Sequence, residues 1–178
     1  MNVFDLIGQA ARSENVLCVL IGGFALHFHG VDRQTVDVDF LVSPDDFAKL
    51  EGHLTRGGYR LGEKSDIFAR FVPSEKPKLT VDFLFANSET VERIRTEGKI
   101  VDISGREFVV PSARHMVALK LHAIRQNPAR KAGDLADIAA LIQRAPESLH
   151  RSAIQELCKT HGSPELFDEL LRLCPSLL

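Results

Sequence analysis

This sequence has no surplus of positive charge: 22 lysines and arginines stand against 24 aspartates and glutamates, a formal net charge of −2. That excludes a broadly basic nucleic-acid binder, although it leaves room for a local basic patch. Cysteine is scarce. Cys18, Cys158 and Cys174 are an odd number without metal-ligand spacing, which argues against a disulfide framework and fits a reducing compartment. Cys18 lies in an apolar run and reads as a core residue. No apolar run reaches the ~20 residues that a membrane span needs. The opening segment MNVFDLIGQAARSEN carries acidic residues, so neither signal peptide nor membrane partner is expected and the cytoplasm is the default location. There is no internal repeat and no low-complexity tract. What is present is 178 residues, 44% hydrophobic and 26% charged. That is enough for a proper core, in one domain or one domain with a helical appendage.

The pattern along the chain divides it near Pro111. Before that point, apolar spacing predicts a helix from Asn2 to Ser13, with Asn2 as its cap. A buried strand over Val16–Ile21 ends at Gly22-Gly23. A short helix is expected over Phe24–His29, a polar loop over Val31–Gln34 and an alternating strand over Val36–Val42. Ser43-Pro44-Asp45-Asp46 reads as a helix start, with Gly57-Gly58 ending that helix. Asp66–Val72 and Leu79–Ala86 read as paired strands around the turn PSEKPK. Ser88–Thr96 is expected to be a helix, approximately in the capping-box pattern, and Lys99–Ile103 and Glu107–Val110 short strands. Beyond Pro111, helices are expected over Ser112–Gln126, Gly133–Arg144, Pro146–Thr160 and Ser163–Cys174. The reading is therefore an α/β core over 1–111 and a helical region over 112–178 packed on it.

Chemistry concentrates between Val19 and Val42. On an alternating strand, Val36, Val38, Phe40 and Val42 form the core face, and Thr35, Asp37, Asp39 and Leu41 the other. Asp82 likewise faces away from Val81, Phe83 and Phe85. Three carboxylates suit Mg²⁺, which takes oxygen ligands and is commonly completed by substrate phosphates. Two such ions ~3.5–4 Å apart clamp the attacking and leaving oxygens of a phosphoryl-type transfer. The alternative is a solvated sheet face that happens to be acidic. Gly22-Gly23, between a strand and a helix, offers backbone amides that approach phosphate closely.

In the helical half, Lys120 falls about 40° from Met116 on the helical wheel, inside the apolar arc. There it either meets an anion or snorkels at the edge. Asp134 shares a face with Ile138 and Leu141, or serves as a first-turn acid complementing the helix dipole. Asp137, on the flank, could support either residue. Arg125, Arg130 and Lys131 either hold a triphosphate or RNA backbone or form a solvated helix end. His27, His29, His115 and His122 read as structural or solvated.

The series Gly22-Gly23-Phe24-Ala25-Leu26, then Arg33-Gln34-Thr35-Val36-Asp37-Val38-Asp39-Phe40, then Asp82, resembles the nucleotidyltransferase superfamily of DNA polymerase beta. It is most similar to the AbiEii/AbiGii-type nucleotidyltransferases, which include toxins of type IV toxin–antitoxin systems. The resemblance extends to Lys120 in MVALKLHAIR and to Asp134-Leu135-Ala136-Asp137. It implies a small mixed sheet with packed helices followed by a helical bundle. It also implies Asp37, Asp39 and Asp82 as catalytic metal ligands, and Gly22, Gly23, Arg33, Thr35, Lys120 and Asp134 on the nucleotide. Mg²⁺ or Mn²⁺ (two ions), an NTP, an acceptor hydroxyl on RNA or protein and an antitoxin partner follow from it. A small-molecule nucleotidyltransferase of the antibiotic-modifying kind, or an inactive nucleotide-binding module, are the alternatives.

Overall fold

Helix α1 (Val3–Ser13) starts where the Asn2 side chain accepts the Asp5 amide at 2.8 Å, taking up one of the donors a helix start leaves unpaired. The computed structural model describes residues 2–75 and 79–177. Its backbone divides into two compact units. The first runs to Ala25 and resumes as Arg33–Pro111; the second comprises Leu26–Asp32 and Ser112–Leu178.

In the first unit the chain continues through β1 (Val19–Ile21) and the start of α2 (Gly22–His27). Then come β2 (Asp37–Val42), α3 (Pro44–Arg56), β3 (Tyr59–Lys64), β4 (Phe68–Pro73), β5 (Thr80–Phe85), α4 (Ser88–Glu97), β6 (Lys99–Ile103) and β7 (Arg106–Val110). The strands form one mixed sheet in the order β3-β4-β5-β2-β1-β7-β6. β2 runs parallel to β5 and β1 parallel to β7, and the other neighbours are antiparallel. The expected mixed α/β architecture is therefore present, including the β4–β5 pairing; residues 76–78 of the expected turn lie outside the described residues. α3 begins as its sequence suggests, with Ser43 accepting the Asp46 amide, Pro44 in the first turn and Gly57 at the end.

Phenylalanine does most of the packing in this unit. Rings run in contact from Phe24 to Phe4, Phe108, Phe40, Phe83 and Phe47, with centroids 5.2–5.8 Å apart. Phe71 and Phe85 join at Phe47. With 11 phenylalanines, one tyrosine and no tryptophan, this core gains aromatic area without polar ring atoms to satisfy. All three cysteines are free and buried. Burial pushes the Cys18 thiol well above its ordinary range and Cys158 up to about 11, so neither is a thiolate nucleophile at neutral pH.

The second unit holds α5 (Ala113–Gln126), a 3-10 turn (Pro128–Arg130), α6 (Lys131–Arg144), α7 (Arg151–His161), α8 (Pro164–Leu173) and a closing turn (Pro175–Leu177). α5 packs against α6 and α7, and α8 against α6 and α7. No helix among the described residues is long and apolar enough to cross a membrane.

Four local expectations are corrected. Val36 is 79% exposed rather than core, because the strand begins one residue later, at Asp37. β3 was not expected: beyond Tyr59 its residues are exposed, so an edge strand held by backbone pairing to β4 leaves no apolar alternation to read. The cap of α4 is Asn87, whose side chain accepts the Thr90 amide at 2.8 Å, rather than Ser88. α7 starts at Arg151 instead of Pro146, because the Ser148 and Leu149 amides turn back to the Ala145 carbonyl and bury Leu149.

Phe83 is fully buried among three other rings. Phe83→Ala is expected to lower unfolding stability by about 3–5 kcal/mol, read from urea denaturation followed by circular dichroism.

Candidate functional site

Strand register brings the acidic residues together. β2 alternates, so Asp37 and Asp39 share a face. Parallel pairing then sets Asp39 directly opposite Asp82 on β5 and Asp37 opposite Thr80. One ligand atom from each of Asp37, Asp39 and Asp82 lies within 4.8 Å of the others. Asp82 is buried, and Asp37 and Asp39 are half-buried. The donor set is all carboxylate oxygen, which fits a hard cation such as Mg²⁺ or Mn²⁺ and offers nothing to a thiolate- or imidazole-seeking metal.

The two glycines beside the cluster have separate steric reasons to be glycine. Gly22 has φ +68°, a left-handed conformation that costs other residues energy. A Cβ there would also collide with the Asp39 carboxylate. At Gly23 a Cβ would come 2.8 Å from the Thr35 Cβ. Each glycine thus leaves room for one residue of the acidic strand and its approach. Thr35 in turn donates its hydroxyl to Asp37, 2.6 Å from Oδ1 and 3.1 Å from the Asp37 carbonyl oxygen. Its hydroxyl therefore orients the Asp37 carboxylate. Arg33 precedes this turn in the same unit.

The sequence did not point to Arg70. It stands opposite Asp82 in the antiparallel β4–β5 pairing and grips that carboxylate with a two-point fork, Nε to Oδ1 at 2.8 Å and Nη2 to Oδ2 at 2.6 Å. The Asp82 side chain is 5% exposed and that of Arg70 43%. Hydrogen bonding to Asp82, reinforced by its charge and those of Asp37 and Glu63, holds the Arg70 guanidinium above its usual range. The available signal was weak: Arg70 alternates with the buried Ala69 and Phe71, which puts it on the opposite face of β4, but only register pairs it with Asp82.

Lys120 and Asp134 lie in the second unit, in an ion cluster of their own. Lys120 is 7% exposed. Its Nζ lies 3.1 Å from Asp134 Oδ1 and 2.6 Å from Asp137 Oδ2, while Arg130 Nε reaches Asp134 Oδ2 at 3.0 Å. The wheel placed Lys120 correctly in the apolar arc, and the anion it meets there is supplied by α6. Asp137, expected on the flank, makes the shorter of the two contacts. Buried charges of this kind persist because each has a partner.

A recess of about 710 Å³, lined by Arg12, Asn15, Cys18, Arg106 and Phe108 among others, opens at the end of β1 away from Gly22. It contains none of the three clustered carboxylates.

A family model described as "Nucleotidyl transferase AbiEii toxin, Type IV TA system" matches residues 9–177. No curated protein matches the chain. Among solved structures, ANT(2'')-Ia in complex with adenylyl-2''-tobramycin superposes with a TM-score of 0.63 at 17% identity, covering 89% of this chain and 94% of that one. An antigenic nucleotidyltransferase-like protein from Paracoccidioides brasiliensis gives 0.55 at 16% identity, covering 97% and 91%. The lincosamide adenylyltransferase LnuA, lincomycin-bound, gives 0.53 at 14% identity, covering 76% and 91%. At these identities the likeness is one of fold.

Removing Lys120 would leave two buried carboxylates without their shared cation. Lys120→Met is expected to destabilise the protein by about 3–5 kcal/mol in chemical denaturation. Gly22→Ala is expected to displace the Asp39 side chain, visible as a shifted carboxylate in a crystal structure of the variant, with a loss of melting temperature.

Proposed function

The chain belongs to the AbiEii nucleotidyltransferase family, and on that basis we propose that it is a Mg²⁺- or Mn²⁺-dependent enzyme transferring NMP from an NTP to an acceptor hydroxyl. The observation that carries this reading is the convergence of Asp37, Asp39 and Asp82 on one sheet face, across two parallel strands. A divalent cation, or two, held by these carboxylates would supply charge neutralisation for the triphosphate.

Each remaining role belongs to a residue of the chain. Asp37, oriented by Thr35, and Asp39, given room by Gly22, would supply oxygens to the metal. Asp82 either completes that ligand set or receives the proton of the attacking hydroxyl. The backbone at Gly22-Gly23 lies against the phosphates, and Arg33 offsets their charge. The acceptor oxygen forms its bond to the α-phosphorus, the bond from that phosphorus to the β-phosphate oxygen breaks, and pyrophosphate leaves. Catalysis of this kind rests on positioning and electrostatics. Lys120 and Asp134 contribute to nucleotide binding from within their buried cluster. For that reason Lys120→Met is to be scored for NTP affinity as well as for stability.

Two different supports bear on the acceptor. The family's description as a type IV toxin favours RNA or protein as acceptor and an antitoxin as partner. The fold likeness to ANT(2'')-Ia and LnuA, solved with adenylyl-tobramycin and lincomycin, favours a small-molecule hydroxyl as the second reading.

Incubation with each α-labelled NTP and Mg²⁺, in parallel with total RNA, lysate protein and an aminoglycoside, separates these. Label is expected in one acceptor class and is expected to fall by about 100-fold or more in Asp39→Ala. Undiminished labelling by Asp39→Ala, or no labelling of any acceptor by folded protein, overturns the enzymatic reading.

A further inference from the structure

Asp82 is the most enclosed of the three clustered acids, and both of its oxygens are occupied by Arg70. An Arg–carboxylate fork of this geometry is among the stronger ion pairs and fixes the carboxylate in plane as well as in position. The row Arg70–Asp82–Asp39 runs straight across β4, β5 and β2. A guanidinium is therefore seated against the acidic cluster, on the one carboxylate whose burial gives it least access to solvent. Without such a partner, a buried carboxylate facing two others would be costly.

We infer that Arg70 is a built-in counter-cation of the carboxylate cluster: it holds the Asp82 carboxylate aligned, and must give up part of its fork when a divalent cation takes an Asp82 oxygen. Arg70 is thereby a positioning residue that competes with the metal. This inference rests on the metal-site reading proposed above. The fork is able to open because the arginine side, unlike the aspartate side, is substantially exposed. Its guanidinium already lies 5.4 Å from the Phe68 ring centroid, a face that favours a cation released from a carboxylate. A ligand that binds only the open state sees its apparent Kd raised by the reciprocal of the fraction of molecules that are open. Weakening the fork should then tighten metal binding even where the charge is kept.

Mn²⁺ binding to the full chain without nucleotide, measured by electron paramagnetic resonance and calorimetry, provides the test. Arg70→Gln is expected to bind Mn²⁺ about 5- to 50-fold more tightly than the wild type. Arg70→Lys, which keeps the charge and loses the planar fork, is expected to show part of that gain. Arg70→Gln should also melt at a lower temperature without metal and recover more of its melting temperature with Mn²⁺ than the wild type does. If it folds only with Mn²⁺, a titration of folding against Mn²⁺ reads the same competition.

If Arg70→Lys binds like the wild type and only Arg70→Gln gains, the arginine acts through charge alone and the competing fork is overturned. Unchanged or weaker binding in both variants overturns it as well. Asp39→Asn separates the two readings. Loss of Mn²⁺ binding in that variant keeps the metal site whatever Arg70 does. A folded wild type and folded Arg70→Gln that both ignore Mn²⁺ remove the metal site and this inference together.

Discussion

Parallel pairing of β2 with β5 sets Asp39 opposite Asp82, and with Asp37 on the same face three carboxylates come within 4.8 Å of one another. At an effective dielectric of about 20, two unit charges at that separation repel by roughly 3–4 kcal/mol. The surrounding structure can be understood as what makes such a grouping tolerable. Arg70 pairs with the most buried member, Thr35 donates to Asp37, and Gly22 leaves space for Asp39. The phenylalanine core lies behind the same strands and holds their register, since slipping β2 by one residue would exchange Val38 and Phe40 for the acids.

A second group of charges follows the same rule in the helical unit. Lys120, Asp134, Asp137 and Arg130 carry two positive and two negative formal charges in mutual contact. A lysine in an apolar arc demands an anion, and α6 provides two. The cluster ties α5 to α6 through ionic contacts within their apolar packing.

Much of the first unit was readable because its signals are local. Asn2, Ser43-Pro44 and Gly57 mark helix ends through hydrogen bonds and backbone angles that involve only a few neighbours. The alternation that places Asp37 and Asp39 on one face needs only the period of a strand. The misreadings were of segments whose state is set by distant partners. β3 exists through pairing with β4, and Val36 is exposed by where β2 starts. Residues after Pro146 turn back on Ala145 before α7 begins.

By itself the sequence determined the α/β core, the helical half, the acidic strand and the lysine in an apolar arc, because periodicity, caps and side-chain type are properties of adjacent residues. Tertiary structure alone decided that Asp82 stands opposite Asp39, that Arg70 closes on Asp82, and that Lys120 has two aspartates of α6 for partners. These are facts of register and helix packing, brought about by burial of the whole core, and no local pattern encodes which charge comes to rest beside which.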